Sequence, residues 1–224
     1  FSQHAFAIYG LVTKVQGGNS VVVPAKNYAH DLDAMAAAIT DKTRLVFVTN
    51  PNNPTGTWLT RTEISDFMAK VPSNVVVVLD EAYFEYVDEA EYCDGLTLLP
   101  EYSNLVVTRT FSKAYGLASL RVGYGISAPE IADLMNRVRP PFNVNSFALA
   151  AAVATLNDED YVAESKAVND AGMAYLTQAF DEMGLPYIPS VGNFISFEIP
   201  KEIDQKPTNI SAADVNAQLL ANGV

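Results

Sequence analysis

Several polar side chains follow directly after apolar runs of the sequence, and their chemistry is that of a single binding pocket. The runs cover residues 44–49, 75–79 and 105–108, and each is nearly continuously apolar, as buried parallel strands are. Ligands of open α/β sheets bind beyond the carboxyl ends of such strands. The side chains that follow the runs are those of Asn53, Asp80, Tyr83, Thr110, Ser112, Lys113 and, farther along, Arg121. In this order they predict a pocket for a phosphorylated aromatic aldehyde.

The elements around these residues alternate between strands and helices. This order is typical of an α/β domain with a mostly parallel sheet. Thr60 to Glu63 form a capping-box pattern that opens a helix. Strands are predicted at residues 44–49, 75–79, 105–108, 122–126 and 186–200. Helices are predicted at residues 5–16, 31–39, 60–70, 130–138, 146–156, 160–183 and 212–221.

The change in pattern after residue 129 predicts two domains. We assign residues 1–170 to a large domain and residues 171–224 to part of a smaller one, with the boundary inside the predicted helix 160–183. The chain opens at Phe1 without methionine, and its last helical pattern reaches Gly223 just before the end. We therefore expect a fragment that lacks the start of the large domain and the end of the small one.

Composition excludes several classes of function. The 14 lysine and arginine residues face 26 acidic ones, and the net charge of −12 repels nucleic-acid phosphates. The single Cys93 has no disulfide partner, and with only His4 and His30 no zinc-ligand spacing arises. No run approaches the ~18 apolar residues of a membrane span. We expect a cytoplasmic protein without metal, nucleic-acid or membrane partners, with both histidines on the surface and no group that activates Cys93.

The motifs resemble those of the fold-type-I, pyridoxal-phosphate-dependent aminotransferases of class I/II, and within them the histidinol-phosphate aminotransferases. The likeness extends over essentially the whole chain. It rests on QHAFAIY at residues 3–9, NPNNPTG at 50–56, DEAY at 80–83, TFSKAYGLASLRVG at 110–123 and GNF at 192–194. It implies a three-layer large domain with a mostly parallel sheet, followed by part of a smaller α+β domain.

The resemblance also implies a role for each pocket residue. Lys113 would hold the aldehyde of pyridoxal 5'-phosphate as an imine and later shuttle a proton. Asp80 would keep the pyridine nitrogen protonated, and Asn53 and Tyr83 would donate to the ring oxygen. The remaining assignments are Arg121, Thr110 and Ser112 for the phosphate, and Phe6 for stacking on the ring.

Ordinary structural alternatives are a helix or loop cap for Asp80, a core aromatic for Tyr83 and a surface cation for Arg121. Phe6, Asn143 and Asn193 have alternatives too. For Phe6 the competing explanation is an aromatic that packs one helix against another. Asn143 would reach the substrate or the partner subunit, although a simple loop position explains it as well. Asn193 would lie near the substrate or bond a strand edge.

The implied reaction is a transamination between L-histidinol phosphate, a phosphorylated amino alcohol, and 2-oxoglutarate, which gives imidazole acetol phosphate and L-glutamate in histidine biosynthesis. A homodimer is implied too. In the family a substrate-binding arginine, a glycine-rich phosphate turn and a partner-subunit tyrosine complete the site, and they would lie outside residues 1–224. The alternatives left open are an aminotransferase for aromatic or other amino acids, a threonine-phosphate decarboxylase, the sensing module of a transcription regulator, and a purely structural role.

Overall fold

A computed structural model describes residues 1–203, 206, 207 and 209–224. The helices are α1 Ile8–Val15, α2 Leu32–Ala37, α3 Arg61–Met68, α4 Pro129–Val138, α5 Ser146–Thr155, α6 Glu159–Met183 and α7 Ala212–Ala221. The strands are β1 Leu45–Thr49, β2 Val76–Asp80, β3 Leu105–Thr110, β4 Gly123–Ser127, β5 Tyr187–Ile188, β6 Ser196–Phe197, β7 Glu202–Ile203 and β8 Lys206–Pro207. No helix among the described residues has both the length and the apolar character needed to cross a membrane.

The central sheet has four strands in the order β1-β2-β3-β4. The first three strands run parallel, and β4 pairs antiparallel with β3. The register places Thr49 beside Asp80, and Asp80 beside Thr108. Since neighbouring residues in register project to the same face, these three side chains form one row at the carboxyl ends of the strands. The mostly parallel α/β sheet predicted from the sequence is confirmed.

The main core lies on the opposite face of this sheet, where α2 and α3 cover it. Apolar side chains from both helices and from alternate strand positions are almost completely buried there. They include Met35, Val46, Val48, Ile64, Phe67, Met68, Val77, Leu79, Leu105 and Val107. The face of the sheet that carries the polar row is also covered in part, for example by Tyr9 of α1, whose ring stacks on Phe47. Because both faces are covered to this extent, the strand sequences are nearly continuously apolar.

Helix starts agree well with the sequence, because their capping side chains are local signals. Thr60 and Glu63 make both bonds of the predicted capping box at α3. Asp31 caps α2, and Asn145 caps α5 by accepting from the amide of Ala148. The first helix is an exception. It was predicted at residues 5–16, but α1 begins only at Ile8 and ends at Val15.

Two strand predictions differ from the structure. The strand predicted at residues 186–200 is instead the short antiparallel pair β5 and β6, joined through a turn at residues 189–195. Pro189 and Gly192 lie in this turn and interrupt the extended pattern. β3 continues to Thr110, beyond the predicted residues 105–108, because it pairs with Gly123 of β4. The predicted small-domain segment includes positions 204, 205 and 208, which lie outside the described residues.

A buried ion pair lies behind the row of polar strand ends. Glu81 is fully buried and its Oε2 accepts from Nε and Nη2 of Arg109, at 3.0 and 2.7 Å. Its Oε1 accepts from the amide of Gly95 at 2.7 Å. Arg109 also bonds Asp94, and its guanidinium lies over the ring of Phe84. Because side chains alternate along a strand, Glu81 projects to the face opposite Asp80.

Candidate active site

A cavity of about 370 Å³ opens at the carboxyl ends of β1, β2 and β3. This is the position that the sheet topology favours for a ligand. Its lining residues are Phe6, Thr49, Asn53, Asp80, Ala82, Tyr83, Thr108, Arg109, Thr110, Ser112, Lys113 and Arg121. The structure thus brings together all the residues that the sequence analysis assigned to a cofactor, although they are scattered between positions 6 and 121.

Asp80 provides a carboxylate at the inner end of the cavity. Its Oδ2 accepts a 2.7 Å hydrogen bond from Tyr9 Oη. Burial raises the pKa of Asp80, while hydrogen bonds from Tyr9, Thr108 and the amide of Ala82 oppose that rise. No lysine or arginine of the described residues forms a salt bridge with this carboxylate. A cationic group of a ligand would therefore find an acceptor here that lacks a counter-charge.

Asn53 and Tyr83 form one wall of the cavity. Asn53 Nδ2 donates to Tyr83 Oη at 2.9 Å, which joins the NPNNPTG loop to the DEAY segment. The phenol of Tyr83 is buried and packs edge-on against Phe194, with 4.9 Å between ring centroids. Both polar groups are thus fixed where they can donate to an oxygen of a bound ring.

Lys113 lies on the loop that connects β3 to β4. Its Nζ is 5.2 Å from the centroid of the Tyr83 ring, so the amine faces the Asn53–Tyr83 wall. The same loop begins with a tight turn in which Thr110 Oγ1 accepts from the amide of Ser112 at 3.1 Å. The amine, the two hydroxyls and the wall donors therefore border the same space.

Arg121 closes the outer side of the cavity. Its backbone is left-handed, with φ 55°, which is rare for a residue with a side chain. Its Nη1 donates to the carbonyl of Ala118 at 2.8 Å and lies 3.5 Å from Ser112 Oγ. Two residues on, Gly123 lets β4 lie close to β3, since a Cβ there would lie 2.8 Å from the carbonyl oxygen of Arg109. The guanidinium and the hydroxyls of Ser112 and Thr110 are suited to bind a phosphate.

Phe6 lies at the mouth of the cavity, with 44% of its surface exposed. It meets the ring of Tyr9 edge-on, with 6.1 Å between centroids. The exposed part of the ring offers a flat apolar surface to an aromatic ligand, as the assigned stacking role requires.

Asn143 and Asn193 lie outside the residues that line this cavity. Asn143 is exposed, and its Oδ1 accepts from Nη1 of Arg139 at 3.2 Å. Asn193 is also exposed and hydrogen-bonds Tyr86, but its neighbour Phe194 packs on Tyr83. Their substrate roles stay predictions.

A second layer of polar groups around Asp80 was not predicted from the sequence. Thr49 lies beside Asp80 in the sheet, and its Oγ1 is 2.8 Å from Tyr9 Oη. His30 was expected on the surface, which is wrong. Its Nε2 is 2.9 Å from the carbonyl oxygen of Thr49, and burial lowers the pKa of His30 to about 4. The position of Thr49 at the end of a buried run was the one signal in the sequence that could have revealed this layer.

The prediction that no group activates Cys93 agrees with the structure. Cys93 is buried, and burial raises the pKa of its thiol to about 12, so the thiol stays protonated and unreactive. Among the residues that the structure describes, no three histidine, cysteine or acidic side chains are grouped so that they could hold a metal ion.

Comparison with known proteins identifies relatives along the entire chain. Residues 2–224 match the sequence profile of the family described as aminotransferase class I and II. Histidinol-phosphate aminotransferase 2 of Pseudomonas fluorescens Pf-5 is 55% identical over 224 residues, which are 100% of this chain and 58% of that protein. The histidinol-phosphate aminotransferase of Methylobacillus flagellatus has the same identity and coverage. The chain thus spans somewhat more than half the length of these curated relatives.

Solved structures with the same fold are also found. The histidinol-phosphate aminotransferase of Sinorhizobium meliloti, solved in complex with pyridoxal-5'-phosphate, is 31% identical with a TM-score of 0.83, over 88% of this chain and 53% of that chain. The enzyme of that name from Clostridium acetobutylicum superimposes with a TM-score of 0.86 over 99% of this chain and 65% of its own, at 23% identity. The predicted fold-type-I α/β architecture is confirmed.

Proposed function

Because the chain belongs to the class I and II aminotransferase family, we propose that its cavity holds pyridoxal 5'-phosphate and that the protein containing it is a transaminase. The observation that carries this proposal is the meeting, in one cavity, of an amine, a guanidinium and a carboxylate that forms no salt bridge with a lysine or arginine of the described residues. Lys113, Arg121 and Asp80 provide them from three different segments of the chain. Each group matches a different part of the cofactor.

The residues present fit the cofactor group by group. Asp80 would bind the ring nitrogen, and Lys113 would bind the aldehyde carbon. Asn53 and Tyr83 would donate to the ring oxygen beside it. The remaining contacts would come from Arg121, Ser112 and Thr110 to the phosphate, and from Phe6 to the ring face.

The bound cofactor would supply an electron sink for the carbon that loses a proton. Asp80, in its charged form, would keep the ring nitrogen protonated and thereby maintain that sink. Lys113, once the amino donor has displaced it, would take the proton from the donor carbon and return it one position away on the cofactor. The tyrosine and asparagine would hold the ring oxygen, so that the ring stays oriented toward the amine.

We further propose L-histidinol phosphate and 2-oxoglutarate as the substrates. The support is the 55% identity over the full chain to proteins that bear the name histidinol-phosphate aminotransferase. The products would be imidazole acetol phosphate and L-glutamate, as in histidine biosynthesis. A cytoplasmic location is part of the same proposal.

A homodimer and a domain boundary near Ala171 complete the proposal. Large apolar side chains near the ends of α4 and α5 are exposed, among them Val138 at 82%, Phe142 at 97% and Phe147 at 81%. Apolar groups this exposed favour an interface with another subunit or segment. Light scattering on the full-length protein would measure the mass, and a monomeric mass would contradict the dimer.

The cofactor assignment is tested by borohydride reduction of the full-length protein with pyridoxal phosphate, followed by peptide mapping. We expect the label on Lys113 and none in Lys113→Ala, which should also lose nearly all transamination. Lys70→Ala is a suitable control, since Lys70 pairs with Asp33 on the surface. Label on Lys14, Lys42 or Lys70 in the wild type would refute the assignment.

The substrate assignment is tested separately with a panel of amino donors. We expect L-histidinol phosphate to give the highest kcat/KM with 2-oxoglutarate as acceptor. Preference for L-tyrosine or another amino acid would indicate a different aminotransferase. Release of carbon dioxide from threonine phosphate would indicate a decarboxylase of the same family.

A further inference from the structure

A continuous series of hydrogen bonds runs from the interior to Asp80. Tyr9 Oη donates to Asp80 Oδ2 at 2.7 Å and lies 2.8 Å from Thr49 Oγ1. Because the tyrosine proton goes to the carboxylate, the threonine hydroxyl donates to the tyrosine oxygen. The bond from Tyr9 to Asp80 joins residues that are 71 positions apart.

Tyr9 is held in one orientation by its surroundings. Only 4% of its surface is exposed. Its ring stacks on that of Phe47 with 4.6 Å between centroids and 11° between planes, and Phe6 meets it edge-on. Desolvation and the nearby Asp80 charge raise the pKa of Tyr9 far above its ordinary value, so the hydroxyl remains a proton donor.

Thr49 is fixed just as firmly. Its backbone pairs with that of Asp80 in the parallel sheet, and its carbonyl oxygen lies 2.9 Å from Nε2 of His30. The same Nε2 lies 3.3 Å from the amide nitrogen of Thr49, and the lowered pKa of His30 keeps the ring neutral. The imidazole therefore orients Thr49 without adding a charge near the carboxylate.

We propose that Tyr9 is a positioning residue for the reaction: its hydroxyl, oriented by Thr49, stabilises the negative charge of Asp80 at the place where that carboxylate binds the ring nitrogen. This inference rests on the proposed function. Without the hydroxyl, Asp80 would take up a proton more readily and would hold the ring-nitrogen proton less firmly. The other titratable groups that line the cavity are Tyr83, Arg109, Lys113 and Arg121.

The first test measures Asp80 directly in the cofactor-free full-length protein. Its carboxyl carbon is followed by NMR as a function of pH in the wild type and in Tyr9→Phe. A hydrogen bond to a charged group stabilises it by enough to shift a pKa by about one unit, so we expect the pKa of Asp80 to rise by about one unit in the variant. Tyr102→Phe is the control, because it also removes a partly buried hydroxyl, which donates to the backbone carbonyl of Ser65 and not to Asp80.

The second test uses pyridoxal phosphate labelled with ¹⁵N in the ring and bound to the same proteins. The ring-nitrogen chemical shift reports its protonation independently of activity. We expect the pKa of the ring nitrogen to fall in Tyr9→Phe and to stay at the wild-type value in Tyr102→Phe. Thr49→Val should lower it in the same direction but less, while Thr49→Ser, which retains the hydroxyl, should behave as the wild type.

The outcomes separate this inference from the proposed function. If the wild-type protein does not bind pyridoxal phosphate, the proposed function is wrong and this inference falls with it. If the wild type binds it but Tyr9→Phe and Thr49→Val leave both pKa values unchanged, only the role of Tyr9 is refuted. Should Tyr9→Phe fail to fold, the contrast between Thr49→Val and Thr49→Ser decides, and equal ring-nitrogen pKa values in those two variants overturn the inference.

Discussion

Replacing Arg109 with methionine should destabilise the protein far more than an exposed arginine replacement would. The guanidinium makes two hydrogen bonds to Glu81 and one to Asp94. Methionine keeps much of the side-chain volume but leaves the fully buried Glu81 carboxylate without a cation. Removing one partner of a buried ion pair costs about 3–5 kcal/mol of unfolding free energy, and we expect a loss in that range.

The loss should depend on pH in a defined direction. Burial already raises the pKa of Glu81 to about 7, with Arg109 acting against the rise. Without Arg109 the pKa rises further, so the folded state binds a proton that the unfolded state, at its ordinary pKa of 4.5, releases. Stability therefore falls as pH increases above 4.5. The variant should lose more stability at pH 8 than at pH 5.5.

Urea unfolding of the full-length protein at both pH values measures this loss, and amide exchange at Gly95, which donates to Glu81, reports it locally. Arg61→Met is the control, because the Arg61–Glu101 pair is half exposed and such pairs contribute about 1 kcal/mol at most. The double variant Glu81→Gln/Arg109→Met should regain most of the loss. If Arg109→Met and Arg61→Met lose equal stability, the ion pair does not stabilise the fold as argued.

Three further predictions concern the cavity and its surroundings. Asp80→Asn should keep the cofactor bound but slow transamination by orders of magnitude in stopped-flow assays, because it retains the shape and loses the charge; near-normal turnover would mean that another acid serves the ring nitrogen. Gly123→Ala should displace Arg121 and thereby weaken cofactor affinity about ten- to hundredfold in absorbance titrations. Gly125→Ala is the control and should leave the affinity unchanged, because its Cβ would make only an ordinary 3.8 Å contact. The imidazole of His30 should stay neutral down to about pH 5 when it is titrated by NMR. The free energy of unfolding should fall as pH decreases from 6.5 toward 4, because only the unfolded chain takes up that proton. A titration midpoint near pH 6.5 for His30 in the folded protein would refute this.

The strands and helix starts were predictable because their signals are local. Residues 44–49 and 75–79 are nearly continuously apolar and lie in a sheet that is covered on one face and in part on the other. Thr60 has its capping partner, Glu63, three positions away. The prediction of one strand at residues 186–200 was wrong because the apolar residues there resemble a single strand. Pro189 lies in the connection between the two short strands β5 and β6. Continuation of β3 to Thr110 depends on β4, a partner that no local pattern reveals.

The cavity was predictable for a different reason. Its lining groups follow strands whose carboxyl ends meet at one edge, so topology alone brings Asp80 and Lys113 together. Two features were not predictable in this way. The bond from Tyr9 to Asp80 depends on the packing of α1, and the burial of His30 depends on the packing of the segment before α2. A polar residue in a loop is ordinarily predicted to be exposed, so nothing in the sequence indicated that His30 is buried. Roles that rest on family motifs, such as that of Asn143, await experiment.

The loop between β3 and β4 has a consequence for the order in which the site assembles. Lys113 and Arg121 lie on this one loop, and the residues at its two ends, Thr110 and Gly123, are paired in the sheet. Closing so short a loop costs little chain entropy, whereas bringing Tyr9 to Asp80 closes a separation of 71 residues. We therefore expect the phosphate and lysine side of the site to form early during folding, and the side that holds the ring nitrogen to form only when the distant segments have joined the sheet.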